Sequence, residues 1–144
     1  MAGKLRRAEV TVSAHTPPKF YLVPELLSGF CQNLNTRFQH LPKINETNGL
    51  ENLVSFLAWA QHRFLWIHPF QDYNGRIARL LTNILLINLD LPPIELKIET
   101  KTTRQGYIKA LQAADNNKFD QLEKLIESAL QESINDTGKT KSQE

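Results

Sequence analysis

From Leu50 to Ile67 apolar residues recur at helical spacing: Leu50, Leu53, Val54, Leu57, Phe64 and Ile67. Trp59 and Trp66 widen that surface beyond a single stripe, so this helix belongs near the centre of the domain that forms around it. Pro69 ends it. The residue before a proline is steered toward extended backbone, and His68 is expected to leave the helix in that conformation. A further helix starts near Gly75 and runs to about Leu89. Its residues Ile77, Leu80, Leu81, Ile84, Leu85 and Ile87 cover much of its circumference, and Asp90 and Pro92-Pro93 stop it.

The rest of the chain supplies elements to surround these two. Leu26, Leu27, Phe30 and Leu34 predict a helix that begins at Pro24, a residue suited to a first turn. Cys31 lies beside this stripe and reads as a core thiol. Leu41 to Gly49 is a polar linker. Glu99 to Ala114 predicts a helix with Tyr107, Ile108 and Leu111 facing inward, its start uncertain by a turn. Asp120 is placed to cap a last helix with the stripe Leu122, Leu125, Ile126 and Leu130. Near the start, Ala8, Val10 and Val12 alternate with polar neighbours, as in a short strand. After Thr16-Pro17-Pro18, Phe20 to Val23 is either its partner strand or an extended segment. The expectation is a mainly α domain with a small N-terminal β-hairpin, residues 5–133, followed by a polar, disordered tail, residues 134–144.

A chain of 144 residues suits one domain with a real core, and 41% hydrophobic with 22% charged residues is ordinary for a globular protein. A net charge of +2 is too small for a general nucleic-acid surface, and no DNA-reading motif stands out. No apolar run approaches membrane-spanning length. One cysteine excludes an intrachain disulfide framework and makes a reducing, cytoplasmic compartment the simpler expectation. There is no Walker or Rossmann glycine motif.

The chemistry concentrates in His68-Pro69-Phe70-Gln71-Asp72-Tyr73-Asn74-Gly75-Arg76-Ile77-Ala78-Arg79, between the two central helices. Arg76 and Arg79 share a face in the first turns of a helix, where the backbone field already favours anions. A phosphate group relieves both their mutual repulsion and that conflict. Backbone N–H groups around Asn74-Gly75 add donors for the same anion, and Gly75 allows a close approach; alternatively Asn74 only caps the helix. Asp72 beside a phosphate calls for a cation, and Mg²⁺ binds hard oxygens from both; alternatively Asp72 pairs with an arginine and only builds the loop. His68 accepts a proton near neutral pH and is a candidate base. Phe70 is expected to pin the loop to the core. His62, His68 and Asp72 leave a zinc hydrolase as a minor alternative. His15 and His40 give little by themselves.

This stretch resembles the signature of Fic domains, whose usual form is His-Pro-Phe-x-Asp/Glu-Gly-Asn-Gly-Arg-x-x-Arg. The resemblance extends from Leu5 to Leu130. Val10-Thr-Val-Ser, Pro17-Pro18 and Val23-Pro24-Glu25-Leu26 look like the family's flap and the start of its next helix. Leu80 to Leu86, Arg104 and Tyr107 to Leu111 look like its later helices. The resemblance implies transfer of AMP from ATP to a Ser, Thr or Tyr hydroxyl of a target protein, with other phosphate-containing groups transferred by some members. It assigns His68 as general base and Asp72 as Mg²⁺ ligand. Asn74 and Gly75 would shape the anion nest, and Arg76 and Arg79 would hold the phosphates. The target protein would dock by strand-like pairing on the flap near residues 10–20.

Tyr73 departs from the signature, which has glycine there. Three readings compete: Tyr73 points outward over an intact nest, it narrows the phosphate site, or it leaves a weak or inactive nucleotide-binding or interaction domain. Many members carry an inhibitory helix with a Ser/Thr-x-x-x-Glu-Gly/Asn pattern. Thr47 to Asn52 fits it formally, but at the start of a core helix. The resemblance therefore leaves an inhibitory helix to a missing N-terminal segment or to an antitoxin-like partner, and a family core beginning so near Met1 fits an excised domain.

Overall fold

The computed structural model describes residues 3–142. Five α-helices follow one another: α1 Val23–Gln39, α2 Gly49–Ile67, α3 Asn74–Asn88, α4 Lys101–Asp115 and α5 Asp120–Ser142. The chain divides into two compact units, Met1–Arg79 and Leu80–Glu144, with the first turns of α3 in the former and the remainder in the latter.

In the first unit α1 and α2 pack together through a run of aromatic rings. Phe30 of α1 lies against Trp59 and Phe64 of α2, Phe38 against Phe56, and Phe64 in turn against Phe70 of the following loop. Such tilted pairs, with centroids 5.6–6.4 Å apart, add specific geometry to the area they bury. Leu53, Val54, Leu57, Ala58 and Ile67 complete the buried face of α2. Asn48 takes a left-handed conformation before it, and Gly49 starts it against the linker. A Cβ on Gly49 would lie 2.1 Å from the Lys43 carbonyl oxygen, so only glycine fits. Thr47 to Asn52, the formal match to an inhibitory pattern, is thus the linker end and first turn of this core helix.

In the second unit α4 and α5 pack together. Tyr107, Ala110 and Ala114 face inward from α4, and Leu122, Ile126 and Leu130 from α5. Thr100 and Thr103 form a reciprocal capping box that fixes the start of α4 at Lys101. α3 ends with the Leu91 N–H bonded to the Leu86 carbonyl around a left-handed Asp90. Beyond it, the Asn83 amide donates to the Ile94 carbonyl (3.1 Å) and accepts from its N–H (2.9 Å), tying the extended segment to α3.

Three expectations are corrected. No strand forms among the described residues, so the N-terminal β-hairpin is absent. Val12 and His15 pair as an isolated bridge that closes a tight turn through left-handed Ser13. Pro17 and Pro18 follow, each lacking the N–H a ladder needs, and Phe20–Leu22 is a 3₁₀ turn that leads into α1. Cys31 is exposed, not a core thiol. Residues 134–142 continue α5, where their polarity predicted disorder; polarity does not stop a helix without a breaker, and Thr137 bonds back to the Ser133 carbonyl. Gln143 and Glu144 lie outside the described residues.

Two glycines make the packing testable in opposite directions. Gly49→Ala is expected to destabilise by roughly 1–3 kcal/mol, because backbone must move to admit the methyl group. Gly29, inside α1 with nothing within 4 Å of an added Cβ, should gain about 0.5–1 kcal/mol as alanine. Denaturant unfolding of both variants checks the pair, and equal effects would contradict the close approach at Gly49.

Candidate functional site

α2 ends with its backbone turned sharply. His68 donates its N–H to the Phe64 carbonyl (3.0 Å) and sits at φ 51°, ψ 62°. This is the left-handed region, not the extended backbone expected before proline. Keeping the last helical bond while reversing the chain at once requires it. A non-glycine residue there costs about 1–2 kcal/mol, so its surroundings must hold it.

Arg6 does so. The residue is buried, 4% exposed, and its side chain donates from Nε to the His68 carbonyl (2.7 Å) and from a terminal nitrogen to the Ile67 carbonyl (3.3 Å). It also donates to the carbonyls of Ala8 (3.1 Å) and Pro18, and the Arg6 N–H donates to the Pro69 carbonyl (2.9 Å). A cation at the carbonyl end of a helix meets the negative end of its dipole. Arg6 is absent from the sequence-based candidates because its partners at the end of α2 lie 61 and 62 residues away. His15 is likewise unmarked. Its Nε2 lies 2.9 Å from the Trp66 carbonyl, and its ring packs on the Trp66 indole, so the turn at Val12–His15 rests on the same end of α2.

The loop after Pro69 is closed by Asn74. Its Oδ1 accepts from the Phe70 N–H (3.0 Å) and its Nδ2 donates to the Phe70 carbonyl (2.9 Å), with the residue 2% exposed. The amide therefore shapes the loop through one acceptor and one donor bond. Phe70 packs on Phe64, which pins the loop to the core as expected. Asp72 is exposed, accepts the Tyr73 N–H (2.9 Å), and among the described residues forms no ion pair with an arginine. Tyr73 adopts φ 66°, the conformation open to the glycine of the signature, and points outward, 62% exposed, with the Arg76 guanidinium 5.4 Å from its ring centroid.

α3 opens with the Ile77 N–H bonded to the Tyr73 carbonyl (3.1 Å). The N–H groups before Ile77 precede the first intrahelical bond. A Cβ at Gly75 would lie 3.2 Å from a terminal nitrogen of Arg79, so glycine lets that guanidinium fold back over the first turn. The arrangement offers cationic and N–H donors at the start of α3. Across the loop, His68 offers a ring nitrogen. His62 does not join them in a metal centre: no three His, Cys, Asp or Glu residues converge on a metal position among the described residues. No helix among the described residues is long and apolar enough to cross a membrane.

Burial is the main cause that holds the His68 imidazole below its usual pKa. A hydrogen bond from its Nδ1 to the Leu65 carbonyl (3.3 Å) opposes this, and the positive charge of Arg6 and the nearby His15 reinforce it. A neutral ring that donates from Nδ1 keeps Nε2 as a proton acceptor. The sign for stability follows from proton uptake. Below about pH 6.5 the unfolded chain binds a proton at this position before the native state does, so this site's contribution to stability falls with decreasing pH through that window. The His68 ring, followed by NMR, is expected to titrate below about 6.5, and His68→Gln should flatten that part of the stability profile. A midpoint at or above the free value would contradict the geometry.

A family model described as Fic/DOC family matches residues 1–86. The protein adenylyltransferase Fic of Drosophila grimshawi is 32% identical over 117 residues, 81% of this chain and 22% of that protein. The protein of the same name from Culex quinquefasciatus is 36% identical over 113 residues, 78% of this chain and 20% of its own length. The chain thus spans about a fifth of these curated relatives. Among solved structures, a Fic domain containing signaling protein from Bacteroides thetaiotaomicron superposes with a TM-score of 0.73 at 22% identity, over 92% of this chain and 53% of that one. Fic-1 from C. elegans gives a TM-score of 0.73 at 26% identity, over 99% of this chain and 39% of its own. On the family match and this shared fold, the chain belongs to the Fic/DOC family.

Proposed function

We propose that this chain is a protein adenylyltransferase, which moves AMP from ATP to a Ser, Thr or Tyr hydroxyl of a target protein. One observation carries the reading. A single loop, locked by the two Asn74–Phe70 bonds, joins a histidine with a free acceptor nitrogen to a helix start that presents two arginines. The names of the relatives support the same reaction class.

In this reading Arg76 and Arg79 bind the ATP phosphates, and the N–H groups around Gly75 add donors. His68 Nε2 takes the proton of the target hydroxyl as its oxygen attacks the α-phosphorus. The bond from that phosphorus to the bridging oxygen breaks, and pyrophosphate leaves. The Asp72 carboxylate fits a single Mg²⁺ contact: it is exposed, free of arginine, and has lone pairs beyond the one that Tyr73 uses. The ion would supply charge neutralisation at the triphosphate. The target would dock along residues 10–20, which His15 and Arg6 anchor beside the end of α2.

A second reading, a weak or inactive domain, rests on Tyr73 in a left-handed conformation. Its outward side chain supports an open phosphate site instead.

Intact-mass spectrometry with Mg²⁺, ATP and a lysate fraction tests the first reading. A gain of one AMP mass is expected on the protein or on a lysate protein. His68→Ala should lower it by at least about 100-fold while ATP binding persists, and Arg79→Ala should weaken ATP binding itself. A different added mass would reassign the transferred group, and a gain that survives His68→Ala would remove the base. For Tyr73→Gly, calorimetry should find ATP affinity within a few-fold of the parent. A rise of about tenfold, 1.4 kcal/mol, would instead mean that the ring obstructs the site.

A further inference from the structure

We propose that Arg6 is a positioning residue for His68: its guanidinium, clamped between the end of α2 and the segment from Ala8 to Pro18, fixes the backbone from which the imidazole projects. This rests on the reading of His68 as the base.

Three features of Arg6 carry it. First, its donors reach both sides of one junction. Ile67 and His68 belong to the end of α2, while Ala8 and Pro18 belong to the N-terminal segment, so one planar group sets their separation. Second, the bond to the His68 carbonyl is among its shortest, 2.7 Å, and acts on a residue whose left-handed conformation does not hold itself. Rotation of that peptide swings the ring that must meet the hydroxyl. Third, the group cannot be exchanged for another cation. A lysine has one nitrogen and no fork, and cannot reach carbonyls on both sides in a fixed plane. Glu9, 3.9 Å away and half-exposed, balances part of the charge without occupying those donors. Arg6 also couples the two halves of the reaction: the same guanidinium that orients His68 holds the segment along which the target would lie.

The charge has a separate effect from the fork. The groups that act on the His68 ring are the Leu65 carbonyl, which favours the charged form, and Arg6 and His15, which disfavour it. Arg6→Lys keeps the charge and loses the fork, and Arg6→Gln loses both. Each variant is first checked for native NMR dispersion and for ATP affinity, since neither depends on the Arg6 fork alone.

In Arg6→Lys, kcat for AMP transfer is expected to fall roughly 10–100-fold, the cost of a misplaced base, while KM for ATP stays within a few-fold. In Arg6→Gln, the His68 titration midpoint should rise toward the free value and its ring resonances should shift. A general loss of stability would move neither the kcat-to-KM split nor the midpoint of the folded fraction. Parent-like kcat in Arg6→Lys overturns the proposal, as does an unmoved His68 midpoint and ring shift in Arg6→Gln. If the parent protein itself transfers nothing, the base reading fails. The NMR arm alone then decides whether Arg6 holds this ring.

Discussion

A positive charge taken out of water is costly unless acceptors replace its hydration. Arg6 finds four carbonyls, two of them at the negative end of α2, and so becomes a stable fixture instead of a liability. Two parts of the first unit depend on it. Among the described residues the N-terminal segment has no sheet to join and a single isolated bridge, Val12 with His15; its path is set where Ala8 and Pro18 meet the guanidinium. The end of α2 has carbonyls that no later turn can satisfy. One side chain answers both needs.

The loop between α2 and α3 is bracketed by two residues that spend conformational energy. Elsewhere among the described residues a positive φ falls to Gly3 and to Ser13, Asn48, Asp90 and Asn117, which carry small or short polar side chains. His68 and Tyr73 are different: both carry rings, and neither is favoured there as glycine would be. Each is held from outside itself, His68 by Arg6 and by its own helical N–H bond, Tyr73 by the Asp72 carboxylate on its N–H. Strain held in place by neighbours on both sides of a short connection makes a rigid loop, the property that a reacting site requires.

The helices were legible because each carries a 3.6-residue apolar repeat, and Pro69 after α2 and Asp90 after α3 mark where two of them stop; no such signal marks the end of α5. The N-terminal hairpin was misread for the same reason that helices were read well. Alternation at Ala8, Val10 and Val12 is a real period-two signal, but a strand exists only when a partner offers donors and acceptors, and Pro17-Pro18 withdraws them. The candidate site was legible as a list of residues and not as a geometry. Asn74 read as a nest former or as a cap, and its two bonds to Phe70, which close the loop, leave no local mark in the sequence. Arg6 and His15 were invisible because their partners are distant in the chain.

The Asn74 clamp has a polarity. Phe70 presents one N–H and one carbonyl, and the side-chain amide answers with one acceptor and one donor. An aspartate of the same shape would set an anionic oxygen against the Phe70 carbonyl. Asn74 is followed by Gly75, a neighbour that leaves an asparagine little steric shelter from losing its amide nitrogen. Inside the fold, the bond to the Phe70 carbonyl holds that nitrogen, and Asn74 and Gly75 lie in the first turn of α3. Once the loop opens, that shelter goes, and hydrolysis would leave a carboxylate unable to close it again. The chemical lifetime of the loop is thereby tied to the time it spends folded.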